Sequence, residues 1–129
     1  MSESHRSLRT ALSRARYLGS ARRGSQDAWL TQVTAAALIV LASGFVLMLL
    51  TLLSKDYNGV VKELGHPFPA ILTLLFALVA TFHMHIGMRS IILDYIHGHA
   101  REWALVANSC FAGAVALACV YAVLRVGFV

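Results

Sequence analysis

Charged side chains are scarce in this sequence, and cysteine and proline are scarcer. Of 129 residues only 13% are charged while 58% are hydrophobic, with 2 cysteines and 2 prolines. So few charges cannot solvate the surface of a soluble domain of this length, and a mean hydropathy of +0.69 points the same way. Cys110 and Cys119 lie in one apolar run, nine residues apart and so on opposite faces of a helix. They cannot pair with each other within that helix, nor supply the cysteine set of an iron–sulfur cluster, and read as small apolar side chains buried in the run. A glycine-rich dinucleotide fingerprint, internal repeats and low-complexity tracts are also missing. Acids are few, 6 against 11 lysines and arginines, which leaves a net charge of +5. Most of that excess sits in one N-terminal tail, through Arg6, Arg9, Arg14, Arg16, Arg22 and Arg23. With no folded basic domain to present it, a nucleic-acid partner is disfavoured, and anionic headgroups or an acidic protein surface fit better.

What the sequence has in quantity is long apolar runs. Three stand out, at 29–53, 68–93 and 103–126, and each is long enough at about 1.5 Å per residue to cross roughly 30 Å of hydrocarbon. The runs are continuous rather than alternating, and a bilayer admits only helices or closed barrels. The expected fold is therefore all-α, an integral membrane protein of three transmembrane helices. A basic tail over 1–28 precedes a three-helix membrane domain over 29–129. The segment from Ser54 to Pro69, with Lys55, Asp56, Asn58, Gly59, Lys62, Glu63, Gly65 and Pro67, makes a longer connection than the polar turn from His97 to Glu102.

The arginine-rich tail places the N-terminus on the cytoplasmic or matrix side, since the 54–66 loop balances its two lysines with Asp56 and Glu63. Three crossings then put the turn near residues 94–102 on that inner side and the C-terminus on the outer side. The tail also resembles a mitochondrial presequence, being rich in Arg and Ser and poor in acids, and is expected to be retained in a chain beginning at Met1.

One stretch breaks the apolar pattern: "HMHIGMRSIILDYIHGH", residues 83–99. If the second span emerges at Asp94, His83 lies 11 residues inside it, about 16 Å deep and close to the bilayer midplane. An ionisable group at that depth is a functional candidate. His83 and Asp94 fall about 20° apart around the helix axis, with Gly87 and Ile91 on the same stripe, while His85 points about 200° away from His83. The two histidines therefore cannot chelate one metal from a single helix, which needs i, i+3 or i+4 spacing. A lone imidazole with a glycine one turn along suits a haem ligand, the nitrogen binding iron and the missing side chain leaving room for the porphyrin. His85 is expected to be a hydrogen-bonded, partner-facing residue, and His97 and His99 to be solvated or in contact with a partner.

The residues His83, His85, Gly87, Asp94, Tyr95, Ile96, His97 and Gly98 resemble the second-helix signature of the small cytochrome b membrane anchor of succinate dehydrogenase, respiratory Complex II. The resemblance covers most of the chain, from the basic tail with "LGSARRGSQDAWLTQVTA" through three spans with little outside them. It implies that His83 is an axial ligand of haem b, opposite a histidine of the larger cytochrome b anchor. It further implies that Tyr95 hydrogen-bonds a ubiquinone carbonyl at the inner membrane surface, and that Asp94 shapes that site and its proton supply. A flavoprotein and an iron–sulfur protein complete the implied assembly on the bilayer, and no catalytic residue for succinate is expected in this chain. Relatives often carry a basic residue where this chain has Gln32, beside the haem propionates. Arg89 is placed to reach the inner interface or to pair with a propionate or an acidic lipid.

Independently of the resemblance, a quinone needs hydrogen-bond donors where lipid meets water, and Tyr95 sits at such a place. Gly44, Ala77, Gly87 and Gly113 offer small surfaces for close helix contacts with a second three-helix protein. Two alternatives remain open. One is the anchor of a quinol:fumarate reductase, with the same architecture. The other is a haem-free transport or assembly protein in which His83, His85 and Arg89 line a polar path.

Overall fold

The computed structural model describes residues 20–127. Its helices are α1 (Ser20–Leu52), α2 (Tyr57–Leu64), α3 (Pro67–Tyr95) and α4 (His99–Gly127). Three of them, α1, α3 and α4, are long and apolar enough to cross a membrane. At about 1.5 Å per residue each exceeds the hydrocarbon thickness, so their ends project into the headgroup layers or the helices tilt. The protein is thus an all-α, multi-pass membrane protein.

Helices α3 and α4 outrun their expected spans at both ends, and α1 does so at its start while ending one residue short of residue 53. The first helix begins nine residues before Trp29, because the polar stretch from Ser20 to Ala28 contains no proline and continues the helix outside the apolar run. Arginines 6, 9, 14 and 16 of the tail lie outside the described residues.

The connection expected over Ser54–Pro69 holds a helix of its own. Asp56 caps α2 by accepting a hydrogen bond from the Gly59 amide at 3.0 Å, satisfying one of the helix's free N–H groups. A Cβ at Gly59 would stand 2.8 Å from that carboxylate oxygen, so glycine is what lets the cap close. Val60, Val61 and Leu64 are half-buried while Lys62 is exposed, the pattern of a short helix lying in the membrane interface. Lys55 and Glu63, 2.6 Å apart, tie this helix to the end of α1. The lysine's hydrogen bond and charge hold the Glu63 carboxyl below the usual carboxylate range.

Helix α3 starts with Pro67 at its first turn, where a missing N–H costs nothing, and ends at Tyr95 as Ile96 turns extended. Gly98 then takes φ of +69°, the left-handed conformation that reverses the chain into α4 within three residues. In the row of three long helices, α3 is the middle member and packs along both α1 and α4.

The two seams differ. Between α1 and α3, Phe45 stacks on Phe76 with ring centroids 4.7 Å apart, and a Cβ at Gly44 would lie 3.6 Å from Leu72. Gly44 thus serves a contact within the chain rather than with a second protein. Gly87 and Gly113, in contrast, have no atom within 4 Å of where a Cβ would stand. Their backbones are open to a neighbour. Little else is enclosed: Leu52, Pro69, Ile86, Ile92 and Ala112 are the buried apolar side chains among the described residues, while many large ones, such as Trp29, Val40, Phe111 and Leu117, face outward. Such surfaces are at rest only against lipid or another apolar protein surface. Cys110 is among the outward-facing residues rather than buried, Cys119 is half-buried, and both thiols are free.

Candidate functional site

The site is built on α3, because its position in the row gives it two different neighbours. His83 lies 12 residues from the end of α3 at Tyr95, about 18 Å along the axis and near the middle of the span. Its Nδ1 is 2.8 Å from Oγ1 of Thr34 on α1. Thr34 is itself buried, and its hydroxyl donates to the Leu30 carbonyl at 2.8 Å with the Thr31 carbonyl at 3.2 Å.

His85 faces the other way. Its Nδ1 lies 3.1 Å from Nδ2 of Asn108 on α4, and that same amide donates to the His85 carbonyl at 3.0 Å. The angular separation of the two rings is therefore expressed as contact with two different helices. They do not line one polar path. A groove of about 350 Å³ between α3 and α4 borders His85, Ser109 and Gly113 and is otherwise mostly apolar.

Nε2 of His83 makes no hydrogen bond among the described residues, and no buried side-chain nitrogen or oxygen is left unpartnered among them. This nitrogen is therefore open to the outer surface of the chain. One turn further along, the space at Gly87 is open as well. No group of three or more His, Cys, Asp or Glu able to hold a metal ion occurs among the described residues. The single imidazole nitrogen of His83 is a donor that haem iron would accept. The residues present fit such a group.

Arg89 and Asp94 behave differently from each other. The Arg89 guanidinium lies 3.4 Å from Asp27 of α1, in a half-exposed pair that joins the N-terminal part of α1 to the C-terminal part of α3. Asp94 and Tyr95 occupy the last turn of α3, both exposed, Tyr95 at 80%, and neither has a side-chain hydrogen bond among the described residues. They are adjacent to each other and 11 and 12 residues from His83 on the same helix. Gln32, too, is exposed.

Thr34, Asn108 and Asp27 did not stand out in the sequence. The signal for the first two was present: a hydroxyl and an amide within apolar runs, where polar groups seek partners on neighbouring helices. For Asp27 there was only an acid on the edge of the tail.

Known proteins are similar to this chain in sequence. Residues 6–123 match the family described as Succinate dehydrogenase/Fumarate reductase transmembrane subunit. The chain is 37% identical over 110 residues to the succinate dehydrogenase hydrophobic membrane anchor subunit of Paracoccus denitrificans, covering 85% of each protein. Its identity to the protein of the same name from Rickettsia bellii is 35%, over 69% of this chain and 71% of the relative. With that of Rickettsia conorii it is 31%, over 72% and 75%. No solved structure shows significant similarity to it. With three membrane-length helices and a match over nearly its whole length, the chain belongs to the succinate dehydrogenase/fumarate reductase transmembrane subunit family.

Proposed function

We propose that this chain is the hydrophobic membrane anchor of a succinate:quinone oxidoreductase, contributing a haem b axial ligand and part of the ubiquinone-reduction site. One observation carries the reading: a single helix, α3, holds an imidazole at mid-membrane with one nitrogen open outward, and ends in an exposed Asp94–Tyr95 pair at the membrane surface. The three relatives from Paracoccus and Rickettsia are all succinate dehydrogenase anchors, which favours succinate oxidation over fumarate reduction as the direction of the assembly.

His83 would hold the haem through Nε2, and Gly87 would leave space beside it. A bound haem supplies a one-electron carrier inside the bilayer. Tyr95 donates its hydroxyl proton in a hydrogen bond to a ubiquinone carbonyl, with its ring spanning the polar and apolar layers. Asp94, exposed beside it, passes protons from water to the site, where reduction to quinol consumes two electrons and two protons. Arg89, engaged by Asp27, still has donors to spare for a propionate or an acidic lipid headgroup.

The chain carries no succinate chemistry of its own. The electrons come from a flavoprotein through an iron–sulfur protein, and a larger cytochrome b anchor covers the outward faces at Gly87 and Gly113 and brings the second haem ligand. The N-terminus lies on the cytoplasmic side of a bacterial inner membrane or the matrix side of a mitochondrial one. Purification through a tag on this chain tests the reading. Copurification of flavoprotein, iron–sulfur and cytochrome partners with a b-type haem is expected, and isolation of the chain without them contradicts it.

A further inference from the structure

We infer that Thr34 is the positioning residue that makes His83, rather than His85, a metal ligand, by holding the His83 ring in its Nδ1–H tautomer. The inference rests on the reading of His83 as the haem ligand and adds a residue on a different helix to that site.

Proton counting at each histidine leads to this conclusion. A threonine hydroxyl has one proton, and that of Thr34 points along its own helix to the Leu30 carbonyl 2.8 Å away. With the hydroxyl proton on that carbonyl, the remaining contact, 2.8 Å to Nδ1 of His83, is the one the imidazole donates. With its proton at Nδ1, the neutral ring has its lone pair at Nε2, the nitrogen open to the outside of the chain. A metal-bound histidine whose other nitrogen donates to an oxygen is the arrangement that fixes ring orientation and raises ligand basicity.

At His85 the count comes out the other way. The Asn108 nitrogen also lies 3.0 Å from the His85 carbonyl, which can only accept, so that nitrogen is the amide NH2. It therefore donates to Nδ1 of His85 at 3.1 Å as well. The proton of His85 is then on Nε2, and the ring has no free lone pair to offer. Two histidines two residues apart are set in opposite tautomers by partners on opposite neighbouring helices.

The test is made on the assembled complex in membranes, with Thr34→Val, which keeps the shape and removes the hydroxyl, and Thr34→Ser, which keeps the hydroxyl. Haem per complex, the haem midpoint potential and the low-temperature EPR signal of the oxidised haem are measured. Thr34→Val is expected to raise the potential, since a ring that loses its acceptor donates less to ferric iron, to shift the EPR g-values, and to weaken haem retention about 10- to 100-fold. Thr34→Ser is expected to restore all three.

Wild-type potential and g-values in Thr34→Val overturn the inference. If that variant does not assemble, pulsed EPR of the remote imidazole nitrogen in the wild type answers instead, because its quadrupole coupling distinguishes a hydrogen-bonded N–H from a free one. A free N–H there overturns the inference too. His83→Ala separates the two levels: haem retained in it removes the ligand reading itself, whereas haem lost in it with Thr34→Val unchanged removes only the role of Thr34.

Discussion

Replacing Tyr95 by phenylalanine isolates one hydrogen bond. The ring is 80% exposed, and its hydroxyl has no hydrogen-bond partner among the described residues, so Tyr95→Phe leaves the helix and its packing as they are. What is lost, on the proposed role of Tyr95, is the bond donated to the quinone carbonyl. A neutral hydrogen bond contributes about 0.5–1.5 kcal/mol net, which corresponds to roughly a two- to twelvefold drop in kcat/KM for ubiquinone. The assay compares succinate oxidation coupled to ubiquinone with succinate oxidation coupled to a soluble dye, in the same membranes. Dye-coupled activity is expected to be unchanged, because the proposed function assigns the succinate site to another protein of the complex. A parallel fall of both activities would mean that the substitution disturbs assembly. Unchanged ubiquinone reduction would refute the assignment of Tyr95.

Two further perturbations follow from the geometry. Asn108→Ala removes two hydrogen bonds to His85, and interhelical bonds in membrane bundles average about 0.6 kcal/mol with a maximum near 1.7. A loss of about 1–3 kcal/mol is expected, read as a lower thermal midpoint of the purified complex, and an unaltered midpoint would show that the bridge is not formed in the assembly. The tether between Lys55 and Glu63 should depend on pH. The Glu63 carboxyl titrates lower in the folded chain than in the unfolded one, so the pairing is complete above the unfolded carboxylate's pKa and is lost as pH falls through the lower, folded value. Protection of the α2 amides, taken relative to the intrinsic exchange rate at each pH, should therefore hold from neutral pH down to the usual carboxylate range and fall only below it, and Glu63→Gln should leave it low throughout.

The spans were legible because a bilayer demands about 20 apolar residues in a row, and few other structures need them. The ends were less so. Hydropathy marks where lipid stops, not where hydrogen bonding stops, and α1 runs on through polar residues to Ser20. Helix α2 was hidden because Asn58, Gly59 and a mixture of charges read locally as a loop, although its Asp56 cap and apolar side are intelligible once seen. His83 and His85 could be sorted onto opposite faces from their spacing alone. Which helix each face meets depends on the order of packing, and spacing along one helix carries no information about that. Thr34, Asn108 and Asp27 became visible only when α1 and α4 were set on either side of α3.

A reduced-minus-oxidised optical spectrum of membranes carrying His83→Ala, beside His85→Ala and the unaltered protein, bears most directly on the role assigned to α3. The low-spin b-type signal should vanish in His83→Ala and persist in His85→Ala. A full low-spin signal in His83→Ala would show that the mid-membrane imidazole is not the ligand this chain offers.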